Sequence, residues 1–238
     1  MRKRGRPPGR SKKGIQTAER LYKVALALFR EQGFQATTMR DIAQSAGVSP
    51  GLLYRYFPSK EALLLRLYGQ LSQTYAARVE KLPEGEWSER VLAATRLSLE
   101  TLGPHRSALI GLLGVLVTPG DNSLFGAHTK ISRERVMEAF ERAVCDSKSP
   151  PSCAQSLGQI AYFAHLGVIL FWLFDRSEKQ RATAGLLDWP PWTIMGNMLQ
   201  IPGVDKSVRR LAAWLHSGLL GSKRALTLDP KSNYAHCK

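Results

Sequence analysis

The chain has 238 residues, enough to bury a sizeable core, and its 44% hydrophobic content is ordinary for a soluble globular protein. Its net charge of +15 is gathered at the start, where residues 1–60 hold 13 Lys/Arg against 3 Asp/Glu. That asymmetry argues for a polyanionic partner, while three cysteines without C-x-x-C or Cys/His spacing argue against a metal site and for reduced thiols.

The first thirteen residues, MRKRGRPPGRSKK, are strongly cationic and broken by proline and glycine. This composition suits a solubilising tail, a targeting segment, a membrane-surface anchor or a nucleic-acid arm. No apolar h-region follows, so no signal peptide is expected. Ile15, Ala18, Tyr22, Ala25 and Phe29, with Leu21 and Leu28, recur at helical spacing and predict a first amphipathic helix ending at Gly33. Thr38 is placed to cap a second helix, with Asp41 reaching back in a capping box, and Gly47 stops it. Ser49 caps a third helix with Pro50 in its first turn; Phe57-Pro58 ends it. Ser59 starts a long fourth helix with Leu63, Leu64, Leu67 and Leu71 on its inner face.

Beyond it, helix-length patterns cover 91–102, 107–117, 125–144, 152–174, 178–187 and 206–220, separated by Pro- and Gly-rich breaks. No alternating strand runs and no fixed-period repeat occur, so the expected class is all-α. The apolar run from Leu157 to Phe174 is interrupted by Gln159 and His165 and reads as a buried helix rather than a membrane span. Cys145 and Cys153 flank a Ser-Pro-Pro-Ser loop, where a pairing would make a redox switch; structural thiols are the commoner use. The hydrolase, zinc-protease, Walker and dinucleotide motifs are missing and the five histidines are scattered, so no enzyme, cofactor or metal is expected.

Two short helices joined by Ala46-Gly47-Val48-Ser49 have helix-turn-helix spacing, with Ile42, Ala43, Val48 and Leu53 as a shared core. The stretch TTMRDIAQSAGVSPGLLYRYFPSKEALL closely resembles the DNA-binding domain of TetR-family bacterial transcriptional regulators. The match runs through Thr38, Ile42, Ala43, Ala46, Gly47, Val48, Ser49, Gly51, Leu53, Tyr54, Tyr56, Phe57, Ser59, Lys60, Glu61 and Leu63. The resemblance covers residues 15–75; the remainder is similar only in character. It implies a helix-turn-helix domain at 15–75, with the motif at 38–57, and an effector-binding and dimerisation domain at 76–225. A disordered basic arm at 1–14 and a flexible tail at 226–238 complete the expected organisation.

The function so implied is a cytoplasmic regulator, most often a repressor, released from a palindromic double-stranded DNA operator by a small-molecule effector. The alternative is a DNA binder of the same fold acting in chromosome organisation or cell division. Expected DNA contacts are Thr38, Ser49, Pro50, Gly51, Leu52, Tyr54, Arg55, Tyr56 and Lys60. Arg55 is a candidate for guanine or for phosphate. Arg4 and Arg6, in Arg4-Gly5-Arg6-Pro7, resemble an AT-hook core that would enter the minor groove. Tyr68, Tyr75, Tyr162, His165 and Trp172 are the expected pocket lining for an apolar or aromatic effector. A homodimer is expected through 152–174 plus a following helix, either 178–187 or 206–220, with no membrane partner.

Overall fold

A computed structural model describes residues 12–188 and 202–220. Arg4, Arg6, Pro190, Pro191 and the tail 226–238 lie outside the described residues. All regular structure among the described residues is helical. The chain divides into two compact units. The first holds α1 (Lys12–Glu31), α2 (Met39–Ser45), α3 (Pro50–Tyr56), the first half of α4 (Lys60–Val79) and α6 (Arg106–Val117). The second holds the rest of α4, α5 (Trp87–Leu102), α7 (Lys130–Cys145), α8 (Ala154–Phe174), α9 (Arg181–Asp188) and α10 (Val204–Leu220).

This division differs from the expected one at 75/76. Residues 105–129 belong with the helix-turn-helix rather than with the second unit. The cause is a close approach that no local pattern reveals. A Cβ built on Gly111 of α6 would lie 2.5 Å from Phe34 Cβ, and Gln35 Nε2 donates to the Gly111 carbonyl at 3.3 Å.

In the first unit, α1 buries Leu21, Tyr22, Ala25, Leu28 and Phe29 along one face. The helix starts at Lys12, so Lys12, Lys13 and Gly14 are its first turn rather than part of an arm, and Ile15 is 54% exposed rather than core. The Tyr22 ring stacks near Phe57 at 6.5 Å and carries the Arg66 guanidinium 4.5 Å from its centroid. Arg66 also pairs with Glu19, fastening α4 to α1. Burial pushes the Tyr22 hydroxyl up to about 12.

Two expected helices begin late. Apolar spacing predicts a helix from Phe125, but α7 starts at Lys130. Residues 118–129 close on themselves instead, with the Leu124 N–H on Leu116 O at 2.8 Å and the His128 N–H on Asp121 O at 2.9 Å. The buried Thr129 hydroxyl lies 2.7 Å from Ser123 O. Similarly, Glu178–Gln180 is a 3-10 turn with Lys179 and Gln180 at φ 52° and 54°, and α9 follows at Arg181.

The second unit is built round α7 and α8, its most extensive helix pair. Val91, Ala94, Phe140, Ala143, Val144, Leu157, Ala161 and Tyr162 form its core with at most 1% exposure each. Cys153 is a buried free thiol, so the Cys145–Cys153 pair is not made. Asp175, just past α8, accepts from the backbone N–H and hydroxyl of both Ser177 and Thr183. Those bonds hold its carboxyl well below the usual range and tie the end of α8 to α9.

Helix α8 is long and apolar enough to cross a membrane, yet Ala161, Tyr162, His165, Trp172 and Leu173 are buried in the unit. The helices cross at Gly158, where a Cβ would stand 2.5 Å from Glu141 Cα and 2.9 Å from Glu141 N. Alanine favours a helix by about 1 kcal/mol over glycine. Here the collision is with backbone, which no rotamer relieves, so Gly158→Ala is expected to destabilise the protein by about 1–3 kcal/mol. A urea midpoint equal to or above wild type would contradict this packing.

Candidate nucleic-acid interface

The helix-turn-helix is set by local bonds. The Thr38 hydroxyl accepts the Asp41 N–H at 3.2 Å, and the Thr38 N–H and hydroxyl both donate to Asp41 Oδ2 at 2.7 Å. These bonds lower the Asp41 carboxyl from its ordinary value. Gly47 takes φ 62°, a left-handed conformation that disfavours side chains, and its N–H reaches Gln44 O at 3.0 Å. Arg20 of α1 donates to Ala46 O at 2.9 Å and fixes the same turn. Ser49 then caps α3 by accepting the Leu52 N–H at 3.2 Å. Met39, Ile42, Ala43, Ala46, Leu53 and Phe57 are buried beneath, while Val48 is half-buried.

With Leu53 facing inward, α3 turns Pro50, Gly51, Tyr54 and Arg55 outward. Tyr54 is 51% exposed, whereas Leu52 and Tyr56 are half-buried. Phe57 brings its ring to α1, against Tyr22. A Cβ on Gly51 would meet none of the described residues within 4 Å, so none of them requires glycine there.

Two expected contacts are already engaged within the fold. The Thr38 hydroxyl proton goes to Asp41, leaving that oxygen no donor for a phosphate. Lys60 Nζ donates to Phe34 O at 2.9 Å and Gln35 O at 3.4 Å, over the Phe34 ring at 4.6 Å. It therefore clamps the α1–α2 connection, with one of its three ammonium hydrogens left over. Exposed Arg40 on α2 is a cation that motif reading passed over, because it occupies an unspecified position of the pattern.

The expected pocket residues separate. Tyr68 is half-buried and belongs to the first unit. Tyr75, Tyr162 and His165 lie in the core of the second, and Trp172 is buried two turns further along α8. The rings of Tyr75 and His165 are parallel with centroids 6.3 Å apart, and Phe140 stands 4.7 Å from His165. His165 Nε2 shares a hydrogen with Ser98 Oγ at 2.7 Å. His165 Nδ1 and the Tyr75 hydroxyl are buried with no partner among the described residues. Each such group costs about 1–3 kcal/mol.

Burial pushes the His165 imidazole down to about 3, so it is neutral in the folded protein. The unfolded chain takes up that proton below about pH 6.5. The His165 contribution is therefore fully present above about pH 6.5 and is lost as pH falls towards 3, at no more than about 1.4 kcal/mol per pH unit. His165→Gln should remove this component from a plot of unfolding free energy against pH, and an unaltered plot would show that the ring is not held neutral.

Comparison with known proteins agrees with this geometry. Residues 21–67 match the family described as bacterial regulatory proteins, tetR family, spanning α1 from Leu21 to the start of α4. This segment, the helix-turn-helix with its flanking helices, is similar to the TetR family. It is 31% identical over 120 residues to an uncharacterised HTH-type transcriptional regulator, YerO, of Bacillus subtilis, covering 49% of this chain and 42% of that protein. It is 37% identical over 91 residues to the HTH-type transcriptional repressor KstR2 of Rhodococcus jostii, covering 37% and 45%. The chain thus spans less than half the length of these relatives. The TetR-family repressor FadR of Thermus thermophilus, solved with lauroyl-CoA, shares the fold over 71% of this chain and 92% of its own, at 24% identity and a TM-score of 0.51.

Proposed function

We propose that this chain is a TetR-family transcriptional repressor that binds a partly palindromic DNA operator as a cytoplasmic homodimer and is released by a small-molecule effector. The observation that carries the DNA-binding part is the outer face of α3. Pro50, Gly51, Tyr54 and Arg55 are turned to solvent on a short helix fixed at both ends, and no described residue constrains Gly51 to be glycine. A helix presented in this way fits a major groove, where small residues permit close backbone approach and Arg55 reaches a base edge or phosphate. Arg40 and the basic residues 1–11 would add backbone contacts. Relatives named as regulators and repressors support the same reading and give no support to an enzyme.

Dimerisation is supported by an apolar surface on the second unit. Leu170, Phe171 and Phe174 of α8 and Leu211 and Trp214 of α10 are exposed, and the two helices pack together. A second copy covering them through a four-helix contact would remove that surface from water. The effector role rests on His165 Nδ1 and the Tyr75 hydroxyl inside the same unit, which have no partner among the described residues.

The test is to sequence the DNA fragments retained by the full chain from a random pool and from genomic DNA. A partly palindromic consensus near promoters is expected; dispersed binding without a consensus would instead favour an organiser of chromosomes. Deleting residues 1–11 should weaken binding and flatten log K against log salt, since fewer counterions are released. An unchanged slope would remove the arm from the interface.

A further inference from the structure

The interior of the second unit holds an arrangement that neither packing nor DNA binding accounts for. His165 comes from α8, Tyr75 from α4, Ser98 from α5 and Phe140 from α7, so four helices converge on one point. Tyr75 is 3% and His165 2% exposed, and each has one hydrogen-bonding atom with no partner among the described residues. An apolar core would be served as well by phenylalanine at 75, which fills the same space without an unpaired oxygen.

The chemistry of the two atoms narrows what could satisfy them. The single hydrogen between His165 Nε2 and Ser98 Oγ has two settings. If Nε2 donates, Nδ1 is an acceptor; if Ser98 donates, Nδ1 carries a hydrogen and donates. A hydroxyl can complement either setting, giving a hydrogen to one of Nδ1 and Tyr75 Oη while accepting from the other. A carboxylate can only accept, and it would bring a full charge in among apolar side chains such as Val91, Ala94, Phe140, Leu157 and Ala161.

We propose that the effector is an uncharged, largely apolar alcohol or phenol whose hydroxyl is held by Tyr75 Oη and His165 Nδ1. This inference rests on the reading of the second unit as an effector-binding domain. The body of the ligand packs against the apolar side chains around Phe140. The hydroxyl supplies the selectivity, because a hydrocarbon of the same shape leaves both polar atoms unpartnered.

The experiment uses the full chain with nitrogen-15-labelled histidine. The probes are 1-naphthol and cyclohexanol, each set against its hydrocarbon (naphthalene, cyclohexane) and its carboxylate (1-naphthoate, cyclohexanecarboxylate). An alcohol is expected to shift the His165 Nδ1 resonance, assigned with His165→Gln, and to raise the thermal midpoint. The hydrocarbons should bind about tenfold more weakly and the carboxylates should leave the resonance in place. Tyr75→Phe removes only the unpartnered oxygen, so its ligand-free midpoint should equal or exceed wild type while alcohol affinity falls about tenfold and hydrocarbon affinity stays. No shift of Nδ1 by either alcohol up to its solubility limit, equal alcohol binding by Tyr75→Phe, or tighter binding of the carboxylates would overturn the proposal. Operator selection is measured in parallel on the same preparation. Its success with failure of the alcohols removes only the ligand class, whereas its failure removes the repressor reading itself.

Discussion

Arg55→Ala is expected to weaken binding to the selected operator by about 10- to 100-fold at each recognition helix, while leaving the folded state and the proposed dimer intact. The magnitude follows from a bidentate arginine–guanine pair, worth about 1–3 kcal/mol of discrimination. The fold should be indifferent because Arg55 is exposed on α3, with Leu53 and Phe57 carrying the packing beneath it. The pattern of loss separates two roles. If Arg55 reads a guanine, affinity falls for the consensus and much less for a sequence altered at that base. If it holds a phosphate, all sequences lose alike and the salt slope drops by about one. Binding titrations on both duplexes at several salt concentrations, with sedimentation of the free protein, make the comparison. Wild-type affinity for the consensus would remove Arg55 from the interface. Gly51→Ala is a useful companion, since its Cβ meets none of the described residues within 4 Å and a loss of binding then points to the DNA side.

What the sequence made legible was the part of the fold written in short range. Thr38 with Asp41, Gly47, and Ser49 with the Leu52 N–H each close within three residues, so cap and turn chemistry is visible in the string itself. The buried leucines of α4 are visible for the same reason, through helical spacing. Contacts between distant residues were not. Gln35 meets Gly111 across 76 positions, and that pairing moves α6 into the first unit. Lys60 looks like a free cation at a helix start, yet Phe34 and Gln35 occupy it. Apolar spacing from Phe125 is as consistent with a folded turn as with a helix, and only the Leu116, Asp121 and Thr129 bonds decide between them. The candidate site divides in the same manner: the exposed face of α3 follows from its capped ends, whereas the Tyr75–His165–Ser98 grouping needs three helices in place.

The residue whose loss should cost the fold most carries a charge that would ordinarily keep it at the surface, although it shares the buried stripe of α5 with Trp87, Val91 and Ala94. Arg90 of α5 is 7% exposed, and its guanidinium serves three backbone carbonyls: Ala143 at 2.9 Å, Pro83 at 2.6 Å and Leu82 at 3.3 Å. Ala143 lies in the last turn of α7, and Leu82 and Pro83 follow the end of α4, so these are carbonyls at or beyond helix C-termini. Such groups have no intrahelical partner and sit at the negative end of the helix dipole, where a cation is favoured. One side chain thus joins the α4–α5 turn, α5 and the end of α7. Arg90→Met keeps most of the apolar stem and removes both donor nitrogens, Nε and Nη1, so up to three carbonyls are stranded where water reaches poorly. Hydrogen bonds to a charged group are worth about 1.5–3 kcal/mol each, and relief from burying the charge offsets part of their loss; the expected net is about 3–5 kcal/mol. For a chain of this length that lowers the thermal midpoint by roughly 10 °C. Arg90→Lys should recover only part of it, since one ammonium cannot copy the planar fork that reaches both α7 and the turn. Calorimetry and urea unfolding of the two variants test the argument. A loss below about 1 kcal/mol in Arg90→Met would mean that water or backbone movement satisfies those carbonyls, and Arg90 would then be a bystander to the packing of the second unit.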